Sequence, residues 1–218
     1  MSTTFFAPNL RNAGLAGILA GVGLIGEFAL FSASGQQTTT LDHAATALPF
    51  LRDHGGLIRA ATLVGAANDA LAVVLYAGLA ARIWASAPTL AAAALYLGVV
   101  AVVGDGLVAL SYWVGIPGFV DLAAGSSATA APAWEGFQAT VSGYRGLADL
   151  FVGLALAALG VAGVWKRSLS MPLSVIALLT GLAAIAAPLG VGAAYLASLV
   201  LAIVFRLWAG VELVRTPE

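Results

Sequence analysis

Six ionisable side chains stand inside long apolar stretches of this chain: Glu27, Asp69, Asp105, Arg145, Asp149 and Arg206. Four are carboxylic acids and two are guanidinium groups, so the set can move protons, hold cations or form ion pairs. Each charge costs roughly 2.5–3.5 kcal/mol at the centre of a membrane-spanning helix, and six left unpaired would cost roughly 15–20 kcal/mol. They are therefore expected to point inward and meet one another or water. Arg145 and Asp149 are four residues apart, on one helical face, and able to pair. Four carboxylates need more compensation than two arginines supply, so some are expected to hold protons. That is the state in which a carboxylic acid can donate one.

The rest of the composition narrows what can position these groups. Of 218 residues, 61% are apolar and 9% charged, against roughly 25% charged in an average soluble domain. A water-soluble globular domain and a disordered segment are both excluded. The net charge of −1 leaves no electrostatic footprint for nucleic acid. With no cysteine there are no disulfides, zinc–thiolate sites, iron–sulfur clusters or thiol nucleophiles. The single lysine, Lys166, lies between two apolar runs, which argues against a Schiff base buried in a helix. The serines of the spans have no nearby histidine, so no hydrolase triad is indicated. Gly104-Asp105-Gly106 is not a phosphate loop, because no lysine follows; its glycines are expected to loosen the helix or admit a neighbour. No cofactor is expected, and no metal site. Asp42-His43 and Asp53-His54 are acid–imidazole pairs of a kind that could share a metal, but their separation reads as solvated surface.

A helix needs ~20 mostly apolar residues to cross the hydrocarbon layer. Six stretches qualify, at about 12–33, 58–84, 88–116, 138–165, 171–189 and 191–214. The fold class that follows is all-α, a polytopic transmembrane helix bundle forming one integral membrane domain over residues 1–218. The first run is long, lacks a basic leader and contains Glu27, so it does not read as a cleavable signal peptide. Leu41–Leu48 has helical periodicity with an acid near its start, which predicts a short amphipathic helix lying on the outer surface. Residues 117–137, with Pro117-Gly118, Ser126-Ser127 and Pro132, predict a loop that could act as a lid. Arg11, Arg82, Lys166, Arg167 and Arg215 would gather at the inner ends if both termini are cytoplasmic. Trp84 and Trp165 then fall in the inner aromatic belt, Trp113 and Trp134 in the outer one. The expected location is a bacterial cell membrane.

Helical phase places small residues beside each intramembrane charge. Gly65 precedes Asp69 by one turn, Gly98 and Ala101 precede Asp105, and Ala202 and Ala209 flank Arg206. Small residues mark helix–helix seams in membranes, and Gly17–Gly21 reads as the same kind of packing. At ~1.5 Å per residue, the four acids converge between the midplane and the outer surface, in one polar chamber that opens outward. Arg206 lies deeper, where it meets an acid or reaches for the interface. Asp149, Asp105, Glu27 and Asp69 are the candidate acid–base residues. Arg145, Tyr144, Tyr112, Trp113, Phe28, Phe31, Asn68 and Arg59 are the candidate ligand-binding residues around them.

Several short segments resemble a family of bacterial integral membrane proteins, the domain-of-unknown-function 4386 family. They are Arg11-Asn12-Ala13-Gly14-Leu15 entering the first span, Leu57-Ile58-Arg59, Leu75-Tyr76, and Lys166-Arg167 leading to Met171-Pro172-Leu173. The resemblance covers most of the chain. It implies a six- or seven-helix membrane protein and no particular activity, and the acids are read from this sequence alone.

Three functions fit these features. One is an intramembrane enzyme that cyclises or isomerises a lipophilic small molecule, with Asp149 and Asp105 as acid and base, Glu27 and Asp69 tuning them, and Arg145 holding one acid ionised. Aromatic faces at Phe28, Phe31, Tyr112, Trp113 and Tyr144 could steady cationic intermediates. The second is a proton- or cation-coupled carrier, which needs access from both faces and is small enough that a homodimer is expected. The third is an assembly subunit, in which the acids would face outward at a seam with a partner. The bilayer is the partner common to all three.

Overall fold

The computed structural model describes residues 9–35, 40–190 and 192–216, and all regular structure among them is helical. Helix α1 (Leu10–Ala33) starts where the Asn9 side chain accepts from the Asn12 N–H at 3.0 Å, a cap that satisfies one otherwise free donor. Helix α2 runs Ala44–Ile83, α3 Pro88–Gly125 and α4 Ser127–Lys166. Helix α5 (Met171–Ala186) passes through a short 3-10 turn, Ala187–Leu189, into α6 (Gly192–Arg215). Gly190 closes that turn at φ +83°, a conformation that glycine adopts without a Cβ clash.

Six of these helical segments are long and apolar enough to cross a membrane, one for each expected span. Their lengths differ from expectation. Helices α2, α3 and α4 have 40, 38 and 40 residues, about 60 Å each at the α-helical rise. The hydrocarbon layer is ~30 Å thick. The start of α1 and the end of α6 lie together at one end of the bundle, here the termini end, and the three long helices extend past the others at the opposite end.

The separate amphipathic helix and the loop are therefore corrected. Residues 44–53 are the first turns of α2, and residues 117–137 are the end of α3 and the start of α4, broken only at Ser126. The segment 36–39 of the expected outer loop lies outside the described residues. Pro49, Pro117 and Pro132 sit inside these helices. Each removes one ladder hydrogen bond, and packing between the three helices offsets that loss.

Helix neighbours follow chain order around a closed ring: α1 against α2, then α3, α4, α5, α6 and back to α1, with α2 also touching α4 and α6. Toward the termini the ring is filled by Leu75, Leu79, Ile83, Leu159, Leu173, Phe205 and Leu213, all buried. Small residues bring its backbones together. A Cβ on Gly210 would lie 2.6 Å from the Gly14 carbonyl oxygen, and one on Gly181 would lie 2.6 Å from that of Gly153. A network at the termini end joins α2, α5 and α6. Arg82 pairs with Glu212 at 3.1 Å and donates to the Thr216 hydroxyl at 2.9 Å, and the Ser170 N–H donates to Glu212 at 3.2 Å.

The opposite end is a three-helix cap with its own core of Leu41, Leu48, Leu51, Ile58, Tyr112, Ile116, Trp134 and Val141. Trp134, expected in an interfacial belt, is fully buried there, and its Nε1–H donates to the Leu41 carbonyl at 3.0 Å. The reason is that α4 does not end at the membrane surface, so Trp134 sits on a packed helix face. Phe119 and Phe137 stack around it, with ring centroids 5.2 and 5.4 Å away. Glu135 accepts a hydrogen bond from the Ala44 N–H at 2.9 Å and so caps α2, whose own N-cap residue, His43, makes no such bond.

Candidate functional site: a polar chamber inside the ring

Where the ring meets the cap, the helices enclose a chamber of about 520 Å³. All four acids line it, each from a different helix: Glu27 on α1, Asp69 on α2, Asp105 on α3 and Asp149 on α4. Both arginines line it as well, Arg145 from α4 and Arg206 from α6. The convergence expected from helical phase is therefore present.

Local packing explains how each acid is accommodated. A Cβ on Gly65 would lie 2.7 Å from the Glu27 carboxylate, so that glycine makes the space for it. Gly104, beside Asp105, lets α3 approach Ala148 and the Tyr144 carbonyl of α4. Asp69 accepts from Arg206 Nη2 at 3.1 Å, tying α2 to α6. Arg206 thus finds an acid rather than the interface.

The pairing differs from expectation in one respect. Three ion pairs occur among the described residues: Arg52–Asp53, Arg82–Glu212 and Arg206–Asp69. Arg145 and Asp149 share a face but do not form one. The Arg145 guanidinium shares the chamber lining with Tyr195, Tyr112, Asp149 and Asp105, and none of them forms an ion pair with it. Asp105 in turn feels Asp69, Asp149, Arg145 and Arg206. Among the described residues, Glu27, Asp105 and Asp149 thus have no ion-pair partner, and Arg145 is the chamber's one unpaired cation. The glycine face of α4 packs elsewhere: Gly153 and Gly160 meet Ile185, Gly181 and Leu178 of α5.

Of the expected ligand-binding residues, Arg145, Tyr112, Phe28 and Phe31 line the chamber, while Tyr144, Trp113, Asn68 and Arg59 do not. All four immediately precede or follow a lining residue (Arg145, Tyr112, Asp69 and Ile58), and one step along an α-helix turns a side chain by about 100°. Asn68 accordingly faces Gly23 of α1, buried at 2% exposure with neither amide atom hydrogen-bonded. The Arg59 guanidinium lies 4.0 Å from the Trp113 ring centroid, a cation–π contact away from the chamber.

Sequence reasoning missed the contribution of α5 and α6. Thr180, Ala184, Tyr195, Ser198 and Ala202 complete the wall. Their signal was present, because Tyr195, Ser198, Ala202 and Arg206 follow at three- and four-residue steps on one helical face. Leu41, Ile58 and Tyr112 of the cap core roof the chamber, and Tyr76, Leu156 and Phe205 of the ring core floor it. Among the large apolar lining residues, Leu196 at 56%, Phe28 at 51% and Tyr195 at 45% are exposed. They stand where α1 and α6 lack the glycine contacts that join them near the termini.

Among the described residues, no three His, Asp or Glu side chains come together as a metal site. Comparison with protein-family models, with curated proteins and with solved structures finds no match to this chain.

Proposed function

We propose that this protein is an intramembrane enzyme that uses carboxylic acids for proton transfer on a lipophilic small molecule. The observation that carries the reading is the gathering of four carboxylic acids from four helices in one chamber whose termini end is filled by packed leucines. A proton donor and a proton acceptor can then face the same ligand from different walls, as acid–base catalysis requires. Asp149 and Asp105 are the acid and base in this reading, with Glu27 beside them, and Arg145 favours the ionised form of its neighbours. Asp69, bound to Arg206, shapes the floor. The reaction class that fits is a cyclisation or isomerisation, which moves protons without a cofactor.

Orientation belongs to the same proposal. The gathering of Arg11, Arg82, Lys166, Arg167 and Arg215 at the end where α1 starts and α6 finishes supports, by the positive-inside rule, a cytoplasmic side for that end in a bacterial cell. Membership in the domain-of-unknown-function 4386 family is kept as part of this reading.

The test is mass spectrometry of small molecules extracted from purified protein, comparing the native chain with Asp149→Asn. A lipophilic compound that the variant retains unchanged, and that the native protein converts, is the expected result. The variant should insert normally, since an amide costs less to bury than a charge. Empty extracts from both proteins would overturn the enzyme reading. Proton flux in liposomes would then identify the carrier, which the excess of carboxylates over arginines would serve.

A further inference from the structure

Two guanidinium groups in the chamber have hydrogen-bonding capacity that the protein does not use. Arg145 has no ion pair and no hydrogen bond, and it keeps exposed surface within the chamber wall. Arg206, at 8% exposure, gives Nη2 to Asp69, while its Nη1 has no partner. A guanidinium only donates, so both call for an acceptor oxygen. The charge of that acceptor is constrained by what surrounds it. Three carboxylic acids without ion partners share the chamber, and whichever of them are ionised would repel a further negative charge at low dielectric. An ammonium would instead meet the unpaired charge of Arg145.

We propose that the chamber binds a neutral lipophile through a hydroxyl or carbonyl oxygen that accepts from the Arg145 guanidinium. The chain of the lipophile passes Phe28 and Leu196 toward the bilayer. This rests on the reading of the chamber as a ligand site and adds the chemical class of the ligand. The polar end lies among Arg145, Asp149 and Asp105, and so within reach of the groups that move protons. The apolar end lies between the halves of α1 and α6 nearest Phe28 and Leu196, where the exposed lining side chains Phe28, Tyr195 and Leu196 are aromatic or aliphatic. Entry is sideways from lipid, because the cap core covers the chamber along the bundle axis.

The experiment uses photo-crosslinking in phosphatidylcholine nanodiscs. Four dodecyl probes with a mid-chain diazirine differ only in head group: alcohol, methyl ketone, carboxylate and primary ammonium. The labelled residues are read by peptide mass spectrometry. The alcohol and the ketone should label α1 and α6 around Phe28 and Leu196, and the two charged probes should label them less. Arg145→Gln should lower alcohol and ketone labelling by about tenfold, as loss of a hydrogen bond to a charged group does. Where that variant fails to fold, Arg145→Lys decides. It keeps the charge but loses the planar fork, and should lower the same labelling while leaving the lipid-facing signal at Leu110 and Val114 unchanged. Preferential labelling by the carboxylate or the ammonium would overturn the proposal, as would neutral labelling that neither substitution alters. Labelling confined to lipid-facing residues for all four probes would instead overturn the reading of the chamber as a ligand site.

Discussion

The ring and the cap share the three long helices but are held together by different means. In the ring, α1 meets α6 and α4 meets α5 through glycine, with backbone atoms in near contact. In the cap, α2, α3 and α4 meet through Leu51, Ile116, Trp134 and Phe137. Lipid tails are as apolar as leucine, so in a membrane close backbone approach adds to what buried side chains supply. The ring has both, its glycine contacts surrounding Leu75, Leu79, Leu159 and Phe205. Polar groups divide in the same way. The cap pairs Trp134 with Leu41 and Glu135 with Ala44 and leaves single nitrogens of Gln138 and Arg59 without hydrogen-bond partners. Among the described residues, the ring instead leaves three acids and Arg145 without ion-pair partners in one cavity. The cap is organised for stability, and the ring concentrates its unpaired polar groups where a ligand would sit.

The comparison breaks most readily at a glycine of the ring. In Gly210→Leu the new side chain would begin 2.6 Å from the Gly14 oxygen and 2.8 Å from the Ile18 nitrogen. Neither backbone atom can yield without separating α1 from α6. The expected outcome is loss of monodisperse protein on size-exclusion chromatography of the detergent extract. A monodisperse variant with unchanged thermal unfolding would show that backbone approach is not what holds the ring.

Trp134→Ala sharpens the other side of the contrast. Removing a fully buried aromatic side chain should cost about 3–5 kcal/mol. Faster hydrogen exchange should be confined to residues 41–58 and 108–141, with membrane insertion intact. Exchange spreading evenly through α5 and α6 would mean that cap and ring are one cooperative unit. The smallest effect expected is that of Glu135→Ala, which leaves the first N–H of α2 uncapped. About 0.5–2 kcal/mol of stability should be lost, read as a lower unfolding temperature with the chamber unaffected.

These regions were not equally legible in the sequence. The six spans and the convergence of Glu27, Asp69, Asp105 and Asp149 could be read because burying charge in lipid is costly enough to dictate direction. The cap could not be read in the same way, because Pro49, Pro117, Pro132 and the Gly and Ser residues near them carry the local signals of loops. Yet the buried stripe Ala44, Ala47, Leu48, Leu51, Gly55, Ile58, Thr62 and Gly65 continues at helical spacing from cap into span. Long-range periodicity there outweighs local breakers. The misplaced candidates, Tyr144, Trp113 and Asn68, share another cause. Neighbourhood in sequence was taken for neighbourhood in space, although one helical step is enough to turn a side chain out of a cavity.

The cap also fixes an order of events. Two of its hydrogen bonds, Ala44 to Glu135 and Trp134 to Leu41, join residues 91 and 93 positions apart. Loop closure of that length brings no reward until both ends exist. During synthesis the start of α2 therefore waits, uncapped and with its apolar face uncovered, until α3 has been made and the first turns of α4 have appeared. The roof of the chamber closes late, so a chain interrupted before α4 would have acids in its helices but no enclosed place for them to act.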